Sequence, residues 1–199
     1  MSLIKFGRVE GWPDDVREVE HHYEGIYAWE QTTGPVRLCI APSKDHVALL
    51  ADLAAVWASR SPTWLLYVLT VQRGGAEQGR YQSPEPIDYP ELLAFLARHR
   101  EFLERDGRHA LWMTAEDGLG AGQLVYDRHN VIFAYGPLEP IEDVLQRHGL
   151  RRVEAVTYPV PHAHYYHAEY DAAQERLLAE MPWLWSELRA QDDDFSDDS

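Results

Sequence analysis

Residues 110–135, ALWMTAEDGLGAGQLVYDRHNVIFAY, decide the fold class. Three short runs, 110–114, 123–126 and 131–135, are rich in apolar, aromatic and β-branched side chains. Glycine-rich sequence separates the first two, and Asp127-Arg128-His129-Asn130 separates the second pair. Runs of this kind bounded by turn residues read as strands. Three consecutive strands with short connections form an antiparallel meander. That argues for an α+β class over a doubly wound parallel fold. Asp at the start of the second connection and Asn at its end are turn chemistry. The turn by itself accounts for Asp127 and His129, and His129 projects from its tip.

On the N-terminal side of the meander, residues 44–59 place Val47, Leu50, Ala54 and Trp57 on one helical face. Ser43 is the expected N-cap, and Pro62 follows the end. Residues 64–71 are almost continuously apolar, as in a strand covered on both faces. A second helix begins at Asp88, with Pro90 in its first turn, and stops at Gly107. A third spans Pro140 to Gly149. Residues 26–31, 36–40 and 153–158 read as strands, and 16–22 as a short helix led by Trp12-Pro13-Asp14-Asp15. Residues 74–86 hold three glycines and two prolines and are expected to be an exposed, protease-sensitive loop. A last helical region covers 170–188, kinked or split at Pro182, and buries Leu184 and Leu188. The expectation is one α+β domain over residues 1–190. It has a mixed, mostly antiparallel sheet of about seven strands carrying three or four helices, followed by a disordered acidic tail over 191–199.

The chain has 199 residues and a net charge of −15. Its acidity extends beyond the tail, and the basic residues are scattered. Nucleic acid and anionic membranes both select a basic footprint, so neither is an expected partner. The longest apolar run, Trp64 to Leu69, is far short of the roughly 20 residues a membrane helix needs. One cysteine, Cys39, and a polar N-terminus without a signal-peptide pattern point to a cytoplasmic protein. Cys39 lies inside a predicted strand with no local base to activate it. Neither glycine-rich run leads from a strand into a helix as a dinucleotide loop must, and the P-loop lysine is missing.

The densest chemistry is Pro161-His162-Ala163-His164-Tyr165-Tyr166-His167-Ala168-Glu169. In extended backbone His162 and His164 share a side. His167 joins them if the chain turns there, with Glu169 close behind. Such a set suits Zn²⁺, Ni²⁺ or Cu²⁺. Its spacing matches no established metal motif, and the junction shows no partner to orient the rings, so little bound metal is expected. Tyr165, Tyr166, Trp183 and Trp185 are the candidate anchors for a protein partner. The leading functional expectation is a non-catalytic acidic protein that binds a basic protein, in the manner of a small inhibitor or antitoxin. The alternative is a metal-dependent hydrolase built on His162, His164 and His167.

Overall fold

A computed structural model describes residues 4–11, 16–73, 75–118 and 120–192. Its first half contains β1 (Phe6–Glu10), β2 (Arg17–Glu20), β3 (Ile26–Glu30), β4 (Arg37–Ala41), α1 (His46–Ala58), β5 (Thr63–Leu69) and β6 (Gly79–Gln82). Then come α2 (Tyr89–Arg105), β7 (His109–Ala115), β8 (Gln123–Tyr126), β9 (Ile132–Tyr135) and α3 (Leu138–Arg147). The chain closes with β10 (Arg151–Arg152), β11 (His162–His164), α4 (Asp171–Ala179) and β12 (Leu184–Ser186). Nine strands form one mixed sheet, ordered β10-β3-β4-β9-β8-β7-β5-β6-β12. Only the β10–β3 ladder is parallel. A second, antiparallel sheet has the order β11-β1-β2. The class is the expected α+β, with more strands than anticipated.

Both faces of the large sheet are covered, and period-2 alternation sorts its side chains between them. Leu38, Ile40, Leu124, Tyr126 and Ile132 join a core with Leu50 and Leu53 of α1, Leu92 and Phe95 of α2, and Ile141 and Leu145 of α3. Cys39, Ala41, Val125 and Phe133 face the opposite way and pack with Phe6 of β1 and Val156. Cys39 is fully buried, and burial pushes its thiol pKa well up. That is the inert side chain its strand position implies.

The meander forms as read, with β7 pairing β8 and β8 pairing β9. The glycine run between β7 and β8 is a hairpin connection. At Gly122 (φ +148) a Cβ would meet the Trp57 ring at 2.3 Å, so packing explains this glycine without a phosphate. Helix α2 starts as expected, with the Glu91 N–H donating to the Asp88 carboxylate at 2.9 Å. Helix α1 starts two residues past the expected Ser43 cap position. Asp45 takes the N-cap without a side-chain cap bond. The Val47 N–H donates instead to Glu104 of α2, at 2.9 Å.

Several expectations are corrected. Residues 17–20 form strand β2 and not a helix, because alternating Arg-Glu-Val-Glu pairs along β1; Trp12 to Asp15 lie outside the described residues. The 74–86 stretch contains β6, which is hydrogen-bonded to β5 on one side and β12 on the other. Its Arg80 is 8% exposed and paired with Asp192. Residues 153–158 leave the sheet after the two-residue β10 and cross its far face, where Val156 is buried. Helix α4 ends at Ala179, and after Pro182 the chain becomes β12, whose Leu184 is 55% exposed and not buried. The first two residues of the expected tail belong to a 3₁₀ turn, Ala190–Asp192, and residues 193–199 lie outside the described residues. Among the described residues no helix is long and apolar enough to cross a membrane.

Candidate metal centre

Two local structures bring three imidazoles together. The first is the tight connection from β8 to β9. The Asp127 carboxylate accepts from the backbone N–H of His129 and of Val131, both at 2.9 Å. The chain closes behind it with Asn130 in the left-handed region (φ 61), whose side chain accepts from the Tyr126 hydroxyl at 2.7 Å. This is an Asx-type turn, and it is why Asp and Asn stand at its two ends. It buries His129 to 4% exposure.

The second is β11, which pairs antiparallel with β1 in the register Phe6↔His164 and Arg8↔His162. Alternation puts Phe6, His162 and His164 on one face of the small sheet. The Phe6 ring packs against the rings of His129, His162 and His164 at centroid distances of 5.1, 5.3 and 5.6 Å. One ligand atom from each histidine lies within 4.8 Å of the other two.

The other ring nitrogens set the tautomers. His129 Nδ1 donates to Asp127 Oδ2 at 2.8 Å. His162 Nδ1 donates to the Pro159 carbonyl at 3.1 Å. The Nε2 atoms of the two rings then face each other, 3.4 Å apart. Two facing lone pairs repel unless a proton or cation sits between them. Two nitrogens bound tetrahedrally to Zn²⁺ at about 2.05 Å would be about 3.3–3.4 Å apart. His164 Nδ1 is buried with no hydrogen-bond partner. Burial, helped by His129 and Arg128, pushes the His164 pKa down to about 3, so its ring is neutral, the form that ligates metals. Burial opposes ionisation of Asp127. The interaction with His129 and the bonds from His129 and Val131 outweigh it and hold the carboxyl below its usual range. An ionised carboxylate behind a ligating histidine fixes the ring and raises its basicity.

His162 and His164 thus stand together, as read from their spacing, and the third member is His129. His167 points elsewhere. Its backbone N–H donates to Asp106 at 2.8 Å and its Nε2 donates to the Ile4 carbonyl at 2.6 Å. Glu169 is exposed, in the 3₁₀ turn Ala168–Tyr170. The Asp-x-His pattern in a tight turn was the available sign of His129, because it places a carboxylate behind the ring.

The four aromatic anchors do not share an element. Tyr165 and Tyr166 follow β11 and are half-buried. Trp183 packs on the core near Phe95 and donates to the Leu177 carbonyl at 3.2 Å. Trp185 stands on edge strand β12 at 45% exposure. Comparison with protein-family models, with curated proteins and with solved structures gives no match for this chain.

Proposed function

We propose that this protein is a metal-dependent hydrolase whose centre is His129, His162 and His164, with Zn²⁺ or a neighbouring divalent ion of nitrogen preference as its metal. One observation carries the reading. Three imidazole nitrogens lie within 4.8 Å of one another, and the most buried ring is oriented by an ionised carboxylate. The objection raised by the sequence, that nothing orients the rings, is answered by Asp127 and by the Pro159 carbonyl.

The donor set favours hydrolysis over a purely structural role. Structural zinc sites are closed by four protein ligands, whereas hydrolytic sites use three and leave a position for water. Among the described residues the group contains three. A metal held there would supply an activated water. The chain's own contribution would be to hold His129 rigidly through Asp127 and to exclude bulk water with Phe6 and the Tyr158 ring, 5.1 Å from His129.

The test is metal-dependent cleavage of activated carboxylate and phosphate esters. Activity should appear with added Zn²⁺, vanish with a chelator, and fall at least a hundredfold in His129→Ala. Equal activity of His129→Ala and the parent, or no turnover of any ester by fully metal-loaded protein, would overturn the hydrolase reading.

A further inference from the structure

A cavity of about 660 Å³ opens beside this centre, between the β1–β2 hairpin, residues 43–46 leading into α1, and the C-terminal half of α2. That is the size range of a small-molecule site. Its charge runs against the rest of the molecule. Five Lys and Arg residues line it against four carboxylates, in a chain of net charge −15. The carboxylates are already engaged, and so are Arg98, with Glu180, and Arg100, with Asp45. Asp45 holds Arg100 at 2.6 Å, Glu104 takes the Val47 N–H at 2.9 Å, Glu101 takes the Tyr170 hydroxyl at 3.1 Å, and Glu20 lies 3.3 Å from His22.

Lys5 is the buried cation of the lining. It lines the cavity yet is only 1% exposed. Its ammonium donates to the Leu103 carbonyl at 3.1 Å and lies 3.8 Å from the centre of the Tyr126 ring. No carboxylate of the described residues forms an ion pair with it. An ammonium has three donors, and a buried cation that Asp127, Asp106 and Glu104 reach only without a direct ion pair is expensive. The 13-residue helix α1 also begins at this cavity, with no side-chain cap bond from Asp45 and with only its Val47 N–H taken, by Glu104.

We propose that the cavity binds a small organic anion, with its carboxylate or phosphate group set against Lys5, Lys44 and the first turn of α1. None of the three centre histidines lines the cavity, so this site stands independently of the metal reading. Phe6 is common to both, since it lines the cavity and packs against all three histidine rings. An anion held there lies next to the metal centre.

The experiment is titration calorimetry on chelator-treated protein at pH 6, where Lys5 is protonated, and constant ionic strength, with inorganic phosphate and citrate as probes and chloride as the control. Saturable binding of phosphate or citrate without a matching chloride signal is expected, and the tighter probe identifies which oxyanion the site prefers. Affinity should drop at least tenfold in Lys5→Met and severalfold in Lys44→Ser. The exposed Lys44 keeps the test decisive should Lys5→Met fold poorly. No saturable binding of either probe, or binding unchanged in both lysine variants, would overturn the proposal.

Discussion

A single carboxylate, Asp127, both closes the β8–β9 turn and orients His129. Replacing it with Asn keeps an acceptor for the backbone N–H groups and removes the charge behind the ring. Asp127→Asn should therefore fold and bind Zn²⁺ about 10–100-fold more weakly, a range typical of lost outer partners. Competition against a fluorescent chelator measures this, and unchanged affinity would mean that Asp127 only shapes the turn. Lys5 makes a second prediction. Burial pushes its pKa down to about 7, against opposition from Asp127, Asp106 and Glu104. The unfolded chain keeps that proton up to about pH 10.4. Between pH 7 and pH 9 the unfolded state thus binds more protons than the folded one, and stability rises with pH. The Lys5 contribution to the slope is at most about 1.4 kcal/mol per pH unit. Urea unfolding at pH 7, 8 and 9 should show this rise in the parent relative to Lys5→Met, and parallel curves would show that Lys5 keeps its charge. Among single residues, the pairing of His162 with His164 was readable because strand alternation is local. His129 was not, because its distance from them, 33 residues along the chain to His162, is closed only by the docking of two sheets. His167 looked like a ligand for the converse reason, since the Ile4 carbonyl that holds it is invisible from its neighbours in sequence.

Strand β5 sits inside the large sheet, with seven residues in register against β7. Leu65 is fully buried toward the helices, while Leu66 on the other face is half-buried. Leu65→Asp should cost several kcal/mol, as an unpaired buried charge does, and Leu66→Asp clearly less. Thermal melts of the two variants check the order, and a normally melting Leu65→Asp protein would contradict the packing. Strand β6 changes the expectation for proteolysis. Arg80 is hydrogen-bonded into the sheet and paired with Asp192, so trypsin should leave the Arg80–Tyr81 bond intact in the folded protein. Rapid cleavage there would mean that β6 and β12 open together. The elements legible beforehand were those with strong internal pattern. They comprise the meander, β3, β4 and β5, and helices α1, α2 and α3, whose apolar period is strong, with the expected capping residue found at α2. The elements that escaped were β1, β2, β6, β10, β11 and β12, each two to five residues long. Strands so short carry almost no periodicity, and they exist because a partner edge supplies their hydrogen bonds. Pro182 marked a real break, but a break alone does not specify the conformation of the chain beyond it.

The whole molecule is a helical layer, a nine-stranded sheet and a smaller sheet docked on its far face, and the histidine cluster lies where the two sheets meet. His129 belongs to the large sheet's β8–β9 turn, while His162 and His164 belong to the small sheet. A bound ion would staple one to the other, so metal should raise the melting temperature, because it binds only the folded arrangement. The decisive measurement is the metal-to-protein ratio after loading with Zn²⁺ and exhaustive dialysis, by plasma mass spectrometry, for the parent, His129→Ala, His162→Ala and His167→Ala. One ion per chain is expected in the parent and in His167→Ala, and none retained in the other two. No retained ion in the parent, an undiminished ratio in His129→Ala, or loss of the ion in His167→Ala would contradict a centre built from His129, His162 and His164.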